Sequence, residues 1–163
     1  MKRSVAYSQV HISKLMSPSH IHPVGRVHAG DIMQIMYDAA RKVANKHAGT
    51  DVTAIRVDEM VFLSPIRVGA VISCHAYLTF VGKTSMDIEV NLYVEGLEPS
   101  KAALTSYFTM VALDANQNPT PCPELDLITE AEKVRFEDGK QRYNRRHQSI
   151  DTSLSHSTDK NNH

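Results

Sequence analysis

The stretch between His22 and Asp38 carries the side chains best suited to chemistry in this sequence. Gly30 is predicted to open a helix, and the first backbone N–H groups of a helix have no partner within it. Those donors, with the positive end of the helix dipole, suit a carbonyl oxygen that becomes negative during acyl transfer. Asp38, two turns further along, is placed to handle a water. The stretch therefore predicts a hydrolase site.

A glycine-rich turn leading into a core helix is the alternative interpretation of the same stretch. Asp31 falls in the first helical turn, where a carboxylate stabilises the helix by complementing its dipole. Asp38 differs, because it interrupts a stripe of apolar residues and an unpaired buried carboxylate is costly. We therefore expect Asp38 at the edge of the stripe, at an interface or in a site.

The amino-acid composition limits which classes of protein this chain can belong to. The chain has 163 residues, of which 42% are hydrophobic, and this suits one domain with a substantial core. Basic and acidic residues each total 18, so the balance predicts neither a nucleic-acid partner nor an anionic membrane. No apolar run suggests a signal peptide or a membrane span. Cys74 and Cys122 fit no metal-ligand spacing and weakly indicate a reducing compartment, so we expect a cytoplasmic protein.

The predicted elements change character along the chain. Residues 4–12 alternate as an edge strand does, and the prolines of residues 17–23 indicate a loop. From residue 30 to about residue 47 the apolar positions cover most of a helix, which Gly49 would end in a left-handed conformation. Four strand patterns follow, at residues 52–65, 70–80, 85–94 and 102–113, with Met86, Ile88, Val90, Leu92 and Val94 on one face of the third.

A charged helix is predicted after the last strand. Thr129 and Glu132 form a capping box, in which each side chain satisfies the other's backbone N–H. We divide the chain into a main domain at residues 1–125, an appended charged helix at 126–148 and a disordered tail at 149–163. The order of elements predicts an α+β fold, with an antiparallel sheet wrapped around a long central helix and an edge free to pair with a second copy.

Four segments in this order resemble the hot-dog-fold acyl-CoA thioesterases of the brain acyl-CoA hydrolase type and their bacterial relatives. They are Gly25-Arg-Val-His-Ala-Gly30, Val57-Asp-Glu-Met-Val-Phe-Leu-Ser-Pro-Ile66, Lys83-Thr-Ser-Met-Asp-Ile-Glu-Val90 and the helix from Thr129 to Tyr143. The resemblance implies a hot-dog fold and hydrolysis of acyl-CoA to a free fatty acid and CoA. It implies no metal and no cofactor beyond the CoA of the substrate. It also implies a homodimer with active sites at the subunit interface, which in the family commonly assembles into a hexamer as a trimer of dimers.

The family's two catalytic positions hold different residues in this chain. Aligned through Gly30, the family's loop asparagine falls on His22 and its helix aspartate falls on Tyr37, with Asp38 adjoining. Three interpretations stay open. His22 acts as a general base, since its ordinary pKa suits neutral pH; Asp38 takes the carboxylate role; or the site is degenerate and the protein binds acyl-CoA without turnover.

Further residues are candidates for substrate binding. Tyr37 has a hydroxyl that suits a carbonyl oxygen, although it also suits an interface. Lys83, Thr84 and Ser85 resemble the family's nucleotide-proximal region, where their charge and hydroxyls would meet CoA phosphates. An ordinary polar turn is the equal alternative for these three residues.

Overall fold

The computed structural model describes residues 1–17, 25–96 and 101–158, with the backbone alone for residues 147–158. Its central element is helix α2, Ala29–Ala48, which begins one residue before the predicted start. Gly49 ends α2 at a φ of 72°, the left-handed conformation that glycine adopts without strain, as predicted. The predicted loop at residues 17–23 lies almost wholly outside the described residues.

A five-stranded antiparallel sheet curls around α2 in the order β2-β4-β5-β6-β3. The strands are β2 (Val10–Leu15), β3 (Asp51–Val57), β4 (Val71–Val81), β5 (Ser85–Val94) and β6 (Leu104–Leu113). The predicted α+β class is confirmed, as is the wrapping of the sheet around the central helix. The bounds of β5 match the prediction, whereas β3 ends at Val57, before the predicted end at residues 64–65.

The core lies between α2 and the concave face of the sheet. Each strand presents alternate residues to the helix, because successive side chains of a strand point to opposite faces. On β5 the apolar residues Met86, Ile88, Val90 and Leu92 are buried, as the alternation predicts, whereas Val94 is half-buried. Asp87 and Asn91 are also buried, on the other face of the strand. On α2, Ala39, Ala40 and Ala44 are fully buried, and their small side chains let the helix lie close to the sheet.

The N-terminal segment differs from the predicted edge strand. A short parallel strand β1 (Lys2–Ser4) pairs with β7 (Glu124–Asp126), and a helical turn α1 (Val5–Ser8) follows before β2. The hydroxyl of Ser4 accepts a hydrogen bond from the N–H of Tyr7 and caps that turn. The loose alternation of residues 4–12 therefore spans two elements, of which only the second is a strand of the main sheet.

The C-terminal helix α3, Glu130–Thr158, packs against the convex face of the sheet. Its capping box forms as predicted: Glu132 N–H donates to the Thr129 hydroxyl at 3.1 Å, and Thr129 N–H donates to the Glu132 carboxylate at 3.0 Å. Phe136 and Tyr143 of α3 pack on Phe80 of β4, with ring centroids 5.0 and 5.2 Å apart. These rings and the capping box fix the start and the path of α3.

The backbone of α3 continues past residue 148, where the sequence predicted the helix to end. Residues 159–163 of the predicted disordered tail lie outside the described residues. The division of the chain after residues 125 and 148 stays a prediction.

His47, in the last turn of α2, couples folding to pH. It is fully buried, its Nε2–H donates to the carbonyl of Pro123 at 2.8 Å, and its Nδ1 has no hydrogen-bond partner among the described residues. Burial lowers the pKa of His47, since a second ring proton would be buried without an acceptor. The unfolded chain, in which a histidine has a pKa of about 6.5, therefore binds this proton more readily than the folded chain.

We expect the free energy of unfolding to fall as pH drops from about 7.5 to about 5.5, across the ordinary histidine pKa. Urea unfolding at the two pH values measures the change. His47→Gln keeps an amide N–H for Pro123 but does not titrate, so the fall in stability should be smaller in this variant. Equal falls in the two proteins would show that His47 is not a source of the pH dependence.

Candidate active site

The start of α2 is held in place by backbone pairing with the segment after β3. The N–H of Val27 donates to the carbonyl of Ile66 at 2.8 Å, and Arg26 forms an isolated antiparallel bridge with Arg67. Gly25 precedes this pairing at a φ of 78°. The chain therefore turns at Gly25, pairs briefly and enters α2 in a fixed direction.

His28 is the N-cap of α2 and accepts hydrogen bonds from backbone N–H groups of the first helical turn. Its Nδ1 accepts from the N–H of Gly30 at 3.4 Å, and its carbonyl accepts from the N–H of Asp31 at 3.0 Å. The sequence assigned His28 no such role. No hydrogen bond from the N–H of Ala29 to any described residue is found. A ligand's carbonyl oxygen at this terminus would accept a hydrogen bond from the Ala29 N–H. It would also accept one from the Gly30 N–H if the 3.4 Å hydrogen bond from Gly30 to His28 breaks.

An apolar cavity of about 270 Å³ opens beside this helix terminus. It is lined by Arg26, Val27, Ala29, Ile32, Phe62, Leu63, Ser64, Pro65 and Ile66. Its walls come from the start of α2 and from the loop after β3, so the exposed backbone donors of α2 lie next to an apolar surface. That combination suits a polar carbonyl attached to an apolar chain.

Tyr37 and Asp38 lie on different sides of α2. Tyr37 is half-buried and packs against the core, on the side of the helix that also carries Gly30, because seven residues complete almost two turns. Asp38 is exposed, and its carboxylate accepts a hydrogen bond from the Gln34 amide at 3.0 Å. It borders a groove with Arg41, Lys42 and Asn45. Within one copy of the chain Asp38 therefore lies outside the buried stripe of α2, and its catalytic role stays a prediction.

Thr84 and Ser85 line a separate cavity of about 550 Å³ under α3. The other lining residues are Ile55, Arg56, Thr109, Val111, Tyr143 and Arg146. Lys83 is exposed in the preceding turn and does not line this cavity. None of Gly30, Tyr37 and Asp38 contributes to its walls. Within one copy of the chain, Thr84 and Ser85 thus border a different cavity from the start of α2, and Asp38 borders a third groove.

Sequence reasoning missed the charged residues that fix α3 over this second cavity. Arg146 donates to Asp58 at 2.6 Å and to Asp87 at 3.0 Å, and Arg142 donates to Asp87 at 3.2 Å. The sequence shows Arg142 and Arg146 only as a basic end of a helix, since their partners lie more than fifty positions away. His22, the remaining predicted catalytic residue, lies outside the described residues.

Comparison with known proteins shows which family this chain belongs to. Residues 24–100 match the model of the thioesterase superfamily. Over 118 residues the chain is 34% identical to an uncharacterised acyl-CoA thioester hydrolase from Zymomonas mobilis, covering 71% of this chain and 78% of that one. The chain belongs to the acyl-CoA thioester hydrolase family. The resemblance seen in the sequence is thereby confirmed.

Other acyl-CoA thioester hydrolases are similar over more of this chain. The cytosolic acyl coenzyme A thioester hydrolase of Rattus norvegicus is 38% identical over 144 residues, which are 86% of this chain. They are only 38% of the rat protein, so the chain spans about two fifths of that relative. The acyl-CoA hydrolase of Staphylococcus aureus, solved with butyryl-CoA and CoA, superposes with a TM-score of 0.84 at 26% identity and covers 95% of this chain and 96% of that one. The hot-dog fold is therefore confirmed, and hexameric thioesterases are among the other similar structures.

No three histidine, cysteine, aspartate or glutamate side chains within the described ranges are grouped so that they could hold a metal ion. No helix in the described part of the chain has both the length and the apolar character that a membrane span requires.

Proposed function

We propose that the chain hydrolyses acyl-CoA thioesters to a free fatty acid and CoA. The observation that carries the proposal is the start of α2, where backbone donors at Ala29 and Gly30 face an apolar cavity. The thioester carbonyl would receive hydrogen bonds from these donors while the acyl chain enters the cavity. Family membership supports the reaction class, since the relatives are named acyl-CoA thioester hydrolases.

The proposed mechanism activates a water beside the bound carbonyl. Asp38 and His22, contributed by different copies of the chain, act together, and one of the two takes a proton from that water. The hydroxide adds to the carbonyl carbon, and the oxygen becomes an anion held by the N–H groups at the start of α2. The C–S bond then breaks, and CoA leaves as a thiol after receiving the proton that the base took from the water. No covalent intermediate and no metal ion take part in this scheme.

A second candidate function is acyl-CoA binding without turnover. In the Staphylococcus aureus hydrolase, an asparagine, an aspartate fifteen positions later and a threonine seventeen positions after that have each been replaced by alanine. The same intervals counted from His22 in this chain end at Tyr37 and Ala54. Tyr37 also shares the Gly30 side of α2, whereas Asp38 points away from it. These observations favour the second candidate, because within one copy of the chain the Asp38 carboxylate does not face the start of α2.

We propose that the CoA portion of the substrate lies at the cavity under α3. Thr84 and Ser85 supply hydroxyls at its walls, whereas the guanidinium groups of Arg56 and Arg146 are already paired with Asp58 and Asp87. Hydroxyl groups donate hydrogen bonds to phosphate oxygens. We propose that Thr84 and Ser85 contact CoA phosphates and that Lys83 adds charge from the adjoining turn.

Assembly with a second copy would bring the two cavities into one site. β3 is an edge of the sheet, and apolar side chains are exposed along it and the loop that follows: Ile55, Val57, Val61, Phe62 and Leu63. An exposed apolar edge strand is a template for pairing. We propose a homodimer joined at β3, which assembles further into a hexamer as hexameric thioesterases of similar structure do.

A charge on this edge is expected to separate the copies. Val57→Lys places an ammonium group among exposed apolar side chains that pairing would bury, so the assembled species should shift towards a mass of about 18.2 kDa. Light scattering coupled to gel filtration measures this mass. Ile128→Lys, at an exposed residue before α3, is the matched control and should leave the mass unchanged. An unchanged mass for Val57→Lys would place the dimer contact elsewhere.

We propose a cytoplasmic location, in keeping with the cytosolic rat relative, and acyl-CoA as the ligand rather than nucleic acid or a membrane surface. The test of the proposed function is steady-state release of CoA thiol from acyl-CoA substrates of short to long chain length. Turnover of any chain length supports the hydrolase. Tight binding of acyl-CoA with no thiol release at any length would establish the second candidate instead.

A further inference from the structure

A pair of histidines lies on the convex face of the sheet, away from both cavities. His11 of β2 and His75 of β4 are directly opposite each other in the antiparallel register, and Ser73 lies two residues before His75 on the same face. Directly opposed residues of an antiparallel pair have their Cβ atoms only about 5 Å apart. The two imidazoles are therefore held together by backbone pairing.

Both imidazoles point the same ring nitrogen at one oxygen. The Nε2 of His11 lies 2.8 Å from the Ser73 hydroxyl, and the Nε2 of His75 lies 3.1 Å from it. The ring centroids are 3.7 Å apart, with the planes inclined at 47°. One hydroxyl has a single proton, so it donates to one neutral imidazole and accepts from the other. Two nitrogens and one oxygen thus converge on a small volume.

The two imidazoles differ in exposure, and His11 is the more exposed of the pair. His75 is half-buried, and the ring of Tyr93 lies 5.0 Å away in an edge-on arrangement. A neutral imidazole offers a lone pair, which is the form of histidine that binds metals.

We propose that His11, His75 and the Ser73 oxygen form a binding site for a divalent transition metal of the class that prefers imidazole nitrogen, namely Zn²⁺, Ni²⁺ or Cu²⁺. Small shifts of the two side chains towards their common focus bring both Nε2 atoms to the distance of about 2.0–2.1 Å at which imidazole binds such ions. Water completes the coordination. A metal bound here links β2, an edge strand, to β4 and so fastens the N-terminal edge of the sheet.

Titration with Cu²⁺, followed by electron paramagnetic resonance, tests the site. The parent is expected to bind one Cu²⁺ ion, with a spectrum that shows nitrogen ligands. His11→Gln and His75→Gln should each weaken Cu²⁺ binding by more than roughly tenfold, the cost of losing a contact that only supports a ligand. Lys14→Gln, at an exposed neighbour on β2, is the matched control and should bind as the parent does. Zn²⁺ should raise the melting temperature of the parent but not of His11→Gln.

A second measurement needs no variant. In the unaltered chain, Zn²⁺ should protect His11 and His75 from diethyl pyrocarbonate, with the modified positions identified by mass spectrometry. Protection confined to other histidines would overturn the proposal. So would equal Cu²⁺ affinity and equal spectra in the parent and in the His11→Gln, His75→Gln double variant, because the ion would then bind elsewhere.

Discussion

Replacing Asp87 by alanine is expected to destabilise the protein by about 3–5 kcal/mol, the usual cost of removing one partner from a buried ion pair. Asp87 on β5 is only 3% exposed and accepts hydrogen bonds from Arg142 and Arg146 of α3 and from Thr109. Burial would by itself lower the pKa of Arg146, but the hydrogen bonds and charges of Asp87 and Asp58 outweigh it and raise that pKa. Without Asp87, two guanidinium groups remain under α3 with too little compensating charge.

Urea unfolding at neutral pH measures this loss, and circular dichroism shows whether α3 detaches before the sheet unfolds. Glu130→Gln is the matched control, because it breaks an ion pair with Lys133 in which both side chains are well exposed. Surface pairs of this kind contribute little, so stability should hardly change. A small effect of Asp87→Ala, similar to that of the control, would mean that the buried ion pairs do not hold α3 on the sheet.

Replacing Asp38 by alanine is expected to lower the rate of acyl-CoA hydrolysis by about 10²–10⁴-fold, the usual contribution of a general acid–base group. Asp38 is exposed and hydrogen-bonded only to Gln34 among the contacts that the structure describes for its carboxylate, so the substitution should leave the fold intact. Steady-state thiol release measures the rate, and unchanged urea unfolding confirms the fold.

Asp51→Asn is the matched control for this activity measurement. Asp51 is an exposed aspartate at the start of β3, beyond the far end of α2, and should not affect turnover. If Asp38→Ala hydrolyses acyl-CoA at the parent's rate, Asp38 is not the proton acceptor. The role would then pass to His22, and His22→Ala should show the loss instead.

The sequence predicted the central helix and the main sheet well, because local patterns determine them. In β5, apolar residues alternate strictly with polar ones, and the burial of Ile88 and Val90 follows directly. Gly49 ends α2 because glycine adopts a positive φ without strain. The capping box at Thr129 and Glu132 is equally local, and its geometry followed from the spacing of two residues.

Contacts between distant segments were not predictable in the same way. The pairing of Arg146 with Asp58 and Asp87 joins residues far apart in the chain, and no local pattern shows which carboxylate a helix will meet. Likewise, β1 pairs with β7 near the other end of the main domain, so residues 4–12 gave a misleading alternation. The site was the least predictable part, because the start of α2, Asp38 and the proposed CoA-binding residues border three different cavities within one copy of the chain.

The claim that one site is shared by two copies is tested most directly by mixing two inactive variants. Asp38→Ala and His22→Ala are each expected to lose turnover alone. After mixing, unfolding and refolding together, half of the dimers pair unlike chains, and one of their two sites has both residues intact. A twofold-symmetric interface thus predicts recovery of about a quarter of the parent's thiol-release rate. No recovery from a mixture that has formed mixed dimers would contradict the shared site.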